Sequence, residues 1–219
     1  MTVLITVRFL YKILSFTILH FSEIRDIIEK TLAEKREKER SMHIWLAINL
    51  DDQLSEIREK AAKIEHSIAP EVSAFTLPMH VSLKISFFVP DEDYNKAKSI
   101  IFEYYKTISP FDIEIDGIEK NNSIVWISMK ENESLCRIHR DLDKLMADNL
   151  GITPHPFDLD FKFHSTLFID ADEKKSNSAY FALKDLQIPK TLRAKSLIIG
   201  SSETGKMGTY KVTDIINIQ

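Results

Sequence analysis

The stretch "FTLPMHVSLKISFFV", residues 75 to 89, alternates apolar and polar side chains in the way that predicts a β-strand. Its odd-numbered positions are all apolar and predict a buried face. The even-numbered positions include His80, Ser82 and Lys84, which are expected to project together from the opposite face. The pattern therefore places an imidazole and a hydroxyl two residues apart on the more open side of a sheet.

A second stretch, "DLDFKFHSTLFID" at residues 158 to 170, repeats this spacing with His164 and Thr166. The residues between and around them are again mainly apolar at alternate positions, which predicts another strand of the same phase. A single His-x-hydroxyl pair on a strand usually consists of polar residues on a solvated sheet face. Two pairs of matching phase, each followed by Leu, favour a shared site in which both pairs face one groove.

The region from Met42 onward mixes hydrophobic periods of 2 and 3.6 residues, which is typical of interleaved strands and helices. About seven strands with hairpins among them favour an α+β fold with largely antiparallel sheets. Since each half holds helices and one His-bearing strand, we expect two lobes with approximate two-fold symmetry, helices on the outer faces and a central groove. The predicted strands cover 43–50, 75–89, 111–116, 123–129, 158–170, 192–200 and 209–218, and the predicted helices cover 51–68, 90–108, 131–150 and 173–185.

Residues 1 to 41 differ from the rest, and we interpret them as a helical extension that precedes one domain over residues 42 to 219. Their apolar part is interrupted by Arg8 and Lys12 and has no small-residue cleavage site, so neither a stable membrane span nor a signal peptide is expected. The extension is expected to dock on the domain, on a partner or on a membrane surface, and the sequence favours none of these. A misplaced translation start would also explain it.

The 219-residue chain has a formal net charge of −4 and a single cysteine, Cys136. A mildly acidic protein is not a general nucleic-acid coat, so a nucleic-acid substrate is expected to be short or bound in a locally basic groove. One cysteine excludes an internal disulfide and a Cys-rich zinc site, which agrees with a monomer in the reducing cytoplasm. Cys136 and His139 are three residues apart on a predicted helix. For Cys136, a place at the edge of the apolar stripe of that helix is favoured over a role as a reactive thiolate.

Three other kinds of site are disfavoured. "GSSETGKM" at residues 200 to 207 resembles a phosphate-binding loop, but Met207 lacks the required hydroxyl and a strand-like sequence follows, so a Gly-rich hairpin is expected. The cluster His155, Asp158, Asp160 and His164 contains side chains that bind metals. Asp160 and His164, however, are four residues apart, about 13 Å along a strand, which is too far to bind one metal ion. No Gly-x-Ser-x-Gly turn exists for a serine hydrolase.

The motifs "HVSL" at 80 to 83 and "HSTL" at 164 to 167 resemble the paired His-x-Ser/Thr-hydrophobic motifs of the 2H phosphoesterases, which include the bacterial 2′-5′ RNA ligase-like proteins. The early segment "MHIWLAINLDD" and the closing "LIIGSSETGKMGTYKV", which ends in Gly-x-Tyr, are similar to that family too. The resemblance thus spans residues 42 to 219. Several bacterial members have an Arg five residues after the second His, where this chain has Ile169.

Two histidines and two hydroxyls are a minimum set for cleaving a phosphodiester without a metal or other cofactor. Imidazole, with an ordinary pKa of about 6.5, can act as base or acid near neutrality. His80 and His164 are the predicted base and acid in either order, and Ser82 and Thr166 the predicted donors to phosphate oxygens. The resemblance implies a 2′,3′-cyclic phosphate or a 2′-5′ linkage at an RNA end or on a nucleotide.

Four further residues are predicted to bind substrate: Lys84, Lys162, Trp45 and Tyr210. The two lysines share faces with the histidines and could supply positive charge, or each could be a solvated surface side chain. The two aromatic rings could stack on a base, or could simply pack in the core or at the rim. A protein of a different class, a non-catalytic sensor of nucleotides or RNA ends, would retain the same groove.

Overall fold

The structure is a computed structural model that describes residues 41–71 and 74–219. Apart from Ser41, the predicted extension over residues 1 to 41 lies outside the described residues. The strands are β1 (Ser41–Asn49), β2 (His80–Pro90), β3 (Phe111–Asn121), β4 (Ile124–Met129), β5 (His164–Ile169), β6 (Thr191–Ala194), β7 (Ser196–Ser202) and β8 (Lys211–Asn217). The helices are α1 (Asp51–Ile68), α2 (Asp91–Tyr105), α3 (Glu133–Leu150) and α4 (Glu173–Leu183), with short 3-10 turns at Ala74–Thr76 and Pro156–Asp158.

The strands form two antiparallel four-stranded sheets, in the orders β2-β1-β7-β8 and β5-β4-β3-β6. Each sheet has one His-bearing strand at an edge, and these two edge strands, β2 and β5, contact each other. The predicted α+β fold with two lobes of matching design is therefore confirmed. It brings the two His-x-hydroxyl motifs to the junction between the lobes.

The helices cover the sheet faces that look away from this junction. α2 and α3 pack on β2, whereas α4 packs on β3, β4 and β5, and α1 packs on α4 and β5. The side chains between helices and sheets form one continuous apolar core that includes Leu46, Leu83, Leu142 and Leu167. Because α1 and α3 each pack on the strand of the other lobe, the two lobes share this core. None of the helices described is long and apolar enough to cross a bilayer.

Both His strands begin later than the alternating pattern predicts. Pro78 has no N–H to donate to a ladder, and β2 begins at His80 after a 3-10 turn. β5 likewise begins at His164, after a 3-10 turn at Pro156–Asp158 and a loop in which Leu159 is 84% exposed. The prediction of a strand from residue 158 onward is therefore wrong for residues 158 to 163. Apolar residues alternate there, but they lie in a turn and a loop and not in a sheet.

The predicted strand over residues 192 to 200 is in fact two strands in different sheets. β6 pairs with β3, and after the single residue Lys195 the chain enters β7, which pairs with β1. The apolar alternation continues through this crossing and so gives no sign of it. The predicted end of α3 is confirmed, because Gly151 takes the left-handed conformation with φ of 66° and caps the helix.

Candidate active site

His80 is the first residue of β2, and its ring is fixed by the chain immediately before it. The Nδ1 atom lies 2.7 Å from the carbonyl oxygen of Pro78. Because a carbonyl oxygen can only accept, Nδ1 carries the hydrogen, and in the neutral ring Nε2 keeps its lone pair. This ring stands nearly perpendicular to that of Trp45, with the ring centroids 4.5 Å apart.

His164 has the same arrangement at the start of β5. Its Nδ1 lies 2.7 Å from the carbonyl oxygen of Lys162, again two residues earlier in the chain. Its ring lies against Trp126, with the centroids 4.4 Å apart. The two imidazoles therefore have the same tautomer when neutral, and each has a tryptophan on the neighbouring strand as its support.

The surroundings of both rings favour the neutral imidazole. Burial lowers the pKa of His80 to about 4, the hydrogen bond to the Pro78 carbonyl opposes this, and the positive charge of His164 lowers the pKa further. Burial also lowers the pKa of His164, opposed by the hydrogen bond to the Lys162 carbonyl. The two histidines are thus close enough for the charge on one to affect the other.

Ser82 follows His80 on the same face of β2, as its position in the sequence predicts. Its Oγ accepts a hydrogen bond of 3.1 Å from Nε1 of Trp45. Trp45 itself is only 6% exposed and packs with Ala47 and Ile198 on the groove side of the first sheet. The structure therefore places Trp45 beneath the predicted groove, in contact with both His80 and Ser82, where little of the ring is left to stack on a base.

Thr166 is half-buried on β5, directly across from Trp126 on β4. Sequence reasoning missed Trp126, although a signal was available. The chain has only two tryptophans, and each stands on a strand next to one of the His strands. Trp126 is 7% exposed and shares its sheet face with Ser128, which lies across from His164.

Lys84 is not in phase with His80 and Ser82, so this prediction is wrong. Ser82 pairs with Ala47 and Lys84 pairs with Leu46, so Leu83 is an extra residue of β2 without a partner on β1. This β-bulge turns Lys84 to the side of the sheet that faces the helices. The ammonium group is 2.8 Å from Oδ2 of Asp158 and also contacts Asp143, and the side chain is 2% exposed. Its charge is bound to two carboxylates in the interior.

Asp158 is the centre of this buried group. Besides Lys84 it accepts hydrogen bonds from the backbone N–H groups of Ile85, at 3.1 Å, and His155, at 2.8 Å. Burial alone would raise the pKa of Asp158, but these bonds and the ammonium charge lower it below its usual value. Asp158 thereby joins the loop that leads into β5 to the middle of β2.

The residues His139, Asp143 and Asp158 are near enough to each other to suggest a metal site. The ammonium group of Lys84 already contacts both carboxylates. Both ring nitrogens of His139 lie against carbonyl oxygens, Nδ1 at 2.8 Å from Leu83 and Nε2 at 3.0 Å from Asp158. With both carboxylates on the ammonium group and both ring nitrogens of His139 facing carbonyl oxygens, this cluster fits an internal lysine and not a metal.

The other residues that the sequence raised as metal ligands are also separated. Asp160 lies in the loop before β5 and not on the strand face assumed from the sequence. His155 is exposed and caps the 3-10 turn at Pro156–Asp158, where its side chain accepts from the N–H of Phe157. The Cys136 and His139 pair is likewise explained by packing, since His139 is buried against Phe161 with ring centroids 4.6 Å apart.

The two remaining predicted binding residues, Tyr210 and Lys162, lie in different lobes. The phenol of Tyr210 donates a 2.8 Å hydrogen bond to Ser86 of β2, and its ring packs on the Trp45 cluster. Lys162 is exposed, and together with Trp126 and Phe161 it lines a cavity of about 410 Å³. Tyr210 therefore lies on the Trp45 side of the first sheet, and Lys162 lies near Trp126 in the second lobe.

The segment that resembles a phosphate-binding loop joins two antiparallel strands. β7 ends at Ser202 and β8 begins at Lys211, where a nucleotide-binding loop would have a helix. The expected Gly-rich hairpin is confirmed. Gly200 has a clear role, because a Cβ placed there would lie 2.5 Å from the ring of Trp45.

Comparison with known proteins identifies this arrangement. Two lobes that each present a His-x-hydroxyl motif from an edge strand are the arrangement that the two paired motifs led us to expect. A family model described as the 2'-5' RNA ligase superfamily matches residues 50–206. The chain belongs to this superfamily, the 2H phosphoesterases.

Solved structures support the fold. The apo form of E. coli LigT is 19% identical, with a TM-score of 0.53 over 83% of this chain and 99% of that chain. E. coli LigT complexed with ATP is 16% identical, with a TM-score of 0.52 over 83% of this chain and 99% of that one. A protein of Thermus thermophilus is 16% identical, with a TM-score of 0.51 over 80% of this chain and 97% of that one. No curated protein matches the chain.

Proposed function

We propose that this protein is a metal-independent phosphodiesterase that acts on a 2′,3′-cyclic phosphate or a 2′-5′ linkage, at an RNA end or on a nucleotide. The observation that carries the proposal is the shared pose of His80 and His164. Each ring is held through Nδ1 by the carbonyl two residues earlier, which leaves Nε2 for proton transfer.

We assign different roles to the two histidines. Since the pKa of His80 is lowered to about 4, its ring is neutral near pH 7 and suited to remove a proton from the attacking water. His164 is then the acid that protonates the leaving 2′ or 3′ oxygen. For a cyclic phosphate, water adds to phosphorus, one ring P–O bond breaks, and the products are a phosphomonoester and a free hydroxyl.

The hydroxyls complete the set. Ser82 and Thr166 each stand two residues after a histidine on the same strand face, where their O–H groups can donate to the non-bridging phosphate oxygens. These bonds strengthen as negative charge builds up in the transition state. Lys162 adds positive charge at the rim beside His164, and Tyr210 offers a ring beside the first lobe.

We further propose that residues 42 to 219 are the working unit, as a monomer in the cytoplasm. A chain with one cysteine needs no oxidising compartment. The substrate is expected to be short, because a net charge of −4 does not support long contacts with a phosphate backbone. We propose that the segment before this unit docks on one of three surfaces, namely the domain itself, a partner or a membrane, none of which is favoured.

The test is turnover on a panel of phosphodiesters. The panel holds the four 2′,3′-cyclic mononucleotides, a short RNA with a 2′,3′-cyclic phosphate end, and a 2′-5′-linked dinucleotide, with products identified by NMR. Turnover of at least one member, with loss of activity in His80→Ala, supports the proposal. Tight binding without turnover of any member would instead make the protein a sensor of nucleotides or RNA ends.

A further inference from the structure

We propose that Trp45 is a positioning residue, which sets the direction of the Ser82 hydroxyl so that its proton points at the substrate phosphate. The inference rests on the proposed function, since it assigns Ser82 to a phosphate oxygen. It concerns a residue that the sequence suggested for stacking on a base. The structure gives it a different place, under the groove and in contact with the His80 motif.

The hydrogen bond between Trp45 and Ser82 fixes which way the serine hydroxyl points. An indole N–H can donate but cannot accept, whereas a serine hydroxyl can do both. Because Nε1 of Trp45 donates to Oγ of Ser82 at 3.1 Å, one lone pair of that oxygen is occupied. The hydroxyl hydrogen must point away from the indole. Within the described part of the chain Ser82 makes no second hydrogen bond, so its O–H is left to donate to a ligand.

The packing around Trp45 holds the indole in this orientation. The ring is 6% exposed, and it lies in a small apolar cluster with Ala47 and Ile198. On its far side Gly200 provides the space that any larger residue would fill, since a Cβ there would lie 2.5 Å from the ring. The indole is fixed before substrate arrives, so the donor is prearranged and costs little reorganisation.

In the described part of the second lobe, no tryptophan donates a hydrogen bond to the hydroxyl of the His motif. Trp126 lies against His164 with an interplanar angle of 30°, whereas Trp45 meets His80 at 79°. Among the described residues no indole N–H donates to the hydroxyl of Thr166. The two lobes share a backbone design but differ here, which makes Trp126 a matched comparison for Trp45.

The experiment is a double-mutant cycle of Trp45→Phe and Ser82→Ala, with turnover of a 2′,3′-cyclic nucleotide and binding of inorganic phosphate as the two readouts. Trp45→Phe keeps an aromatic ring against His80 and removes the N–H. We expect it to lower kcat/KM by about 10-fold to 100-fold, at most the cost of deleting one such donor. In the Ser82→Ala background the same change should cost less than about 2-fold, since residues that act as a unit are not additive. Phosphate affinity should fall by about 2-fold to 10-fold with Trp45→Phe, again only while Ser82 is present.

A loss that is equal with and without Ser82 would show that Trp45 acts only by packing, and no loss at all would equally overturn the inference. The control Trp126→Phe should show the same effect in both backgrounds. Since the chain has two tryptophans, the Trp126→Phe protein also allows Trp45 alone to be replaced by benzothienylalanine, which keeps the bicyclic shape without the N–H. That variant should behave like Trp45→Phe even if the phenylalanine variant folds poorly. If the wild type binds phosphate and turns over no phosphodiester, the proposed function fails while the binding cycle still tests Trp45.

Discussion

Lys84 in the first His strand lies 2.8 Å from Asp158, a carboxylate six residues ahead of the second catalytic histidine candidate. The pair has side chains that are 2% and 0% exposed, and it connects the middle of β2 to the loop that leads into β5. A charge pair in this position holds together the two strands that present the candidate active site.

Lys84→Met is expected to lower the free energy of unfolding by about 3–5 kcal/mol, because it leaves the buried carboxylates of Asp143 and Asp158 without their cation. Urea denaturation of the wild type and the variant measures this. Lys130→Met is the matched control, since Lys130 pairs with Glu114 at 2.9 Å on the surface. The control should change stability little, and an equal effect of both variants would show that the buried pair has no special role.

Gly200→Ala should disturb the candidate site from behind. The added Cβ would lie 2.5 Å from the Trp45 ring, so the indole must move away from Ser82 and His80, at a cost of about 1–3 kcal/mol for overpacking. The near-ultraviolet circular dichroism of tryptophan and kcat/KM should both change. Gly117→Ala in the other lobe is the control, because a Cβ there meets nothing within 4 Å. A Gly200→Ala protein with the spectrum and the activity of the wild type would contradict this role of the Trp45 ring.

The pH dependence follows from the lowered pKa values. As pH rises through about 4, His80 loses its proton and becomes a base, so kcat/KM should rise. As pH rises further His164 loses the proton it must donate, and since its pKa is lowered from 6.5, kcat/KM should fall before ordinary histidines finish titrating. The descending limb of kcat should lie at higher pH than that of kcat/KM, because a bound phosphate anion stabilises the imidazolium. Ser82→Ala should lower the height of the curve without moving its limbs.

Removal of metal ions tests the chemistry of the site independently. Turnover should survive EDTA, since the carboxylates of Asp143 and Asp158 bind the lysine ammonium and each His motif supplies one imidazole. The measurement compares initial rates before and after chelation and dialysis. Loss of turnover that added Mn²⁺, Mg²⁺ or Zn²⁺ restores would show that the histidines have been misinterpreted as acid and base.

The fold class and the two motifs could be predicted from sequence because alternation within a strand is a local property. A strand pair such as β3 and β4 shows its hairpin directly, and α3 shows its end at Gly151. The bulge at Leu83 could not be predicted in this way. It depends on how β1 pairs with β2, and a single extra residue is enough to move Lys84 to the other face.

The residues that contact the site residues could not be predicted either, because these contacts also depend on how strands pair. Trp45 and Trp126 take their roles from neighbouring strands that are distant in sequence, 37 residues separating Trp45 from Ser82. Lys195, where the chain crosses between sheets, has no distinctive sequence because both flanking strands alternate alike. Local pattern thus locates the histidines, and only tertiary pairing shows which tryptophans lie against them.

The central claim, that two histidines act as base and acid on one phosphate, is tested most directly by kcat/KM of His80→Ala, His164→Ala and the double variant on a 2′,3′-cyclic nucleotide. Each single variant should lose about 100-fold to 10,000-fold, the usual contribution of one general acid or base. The double variant should be little worse than either single one, because the two residues act as a unit. A folded His80→Ala or His164→Ala protein that keeps near wild-type turnover on every cyclic phosphate tested would contradict the account.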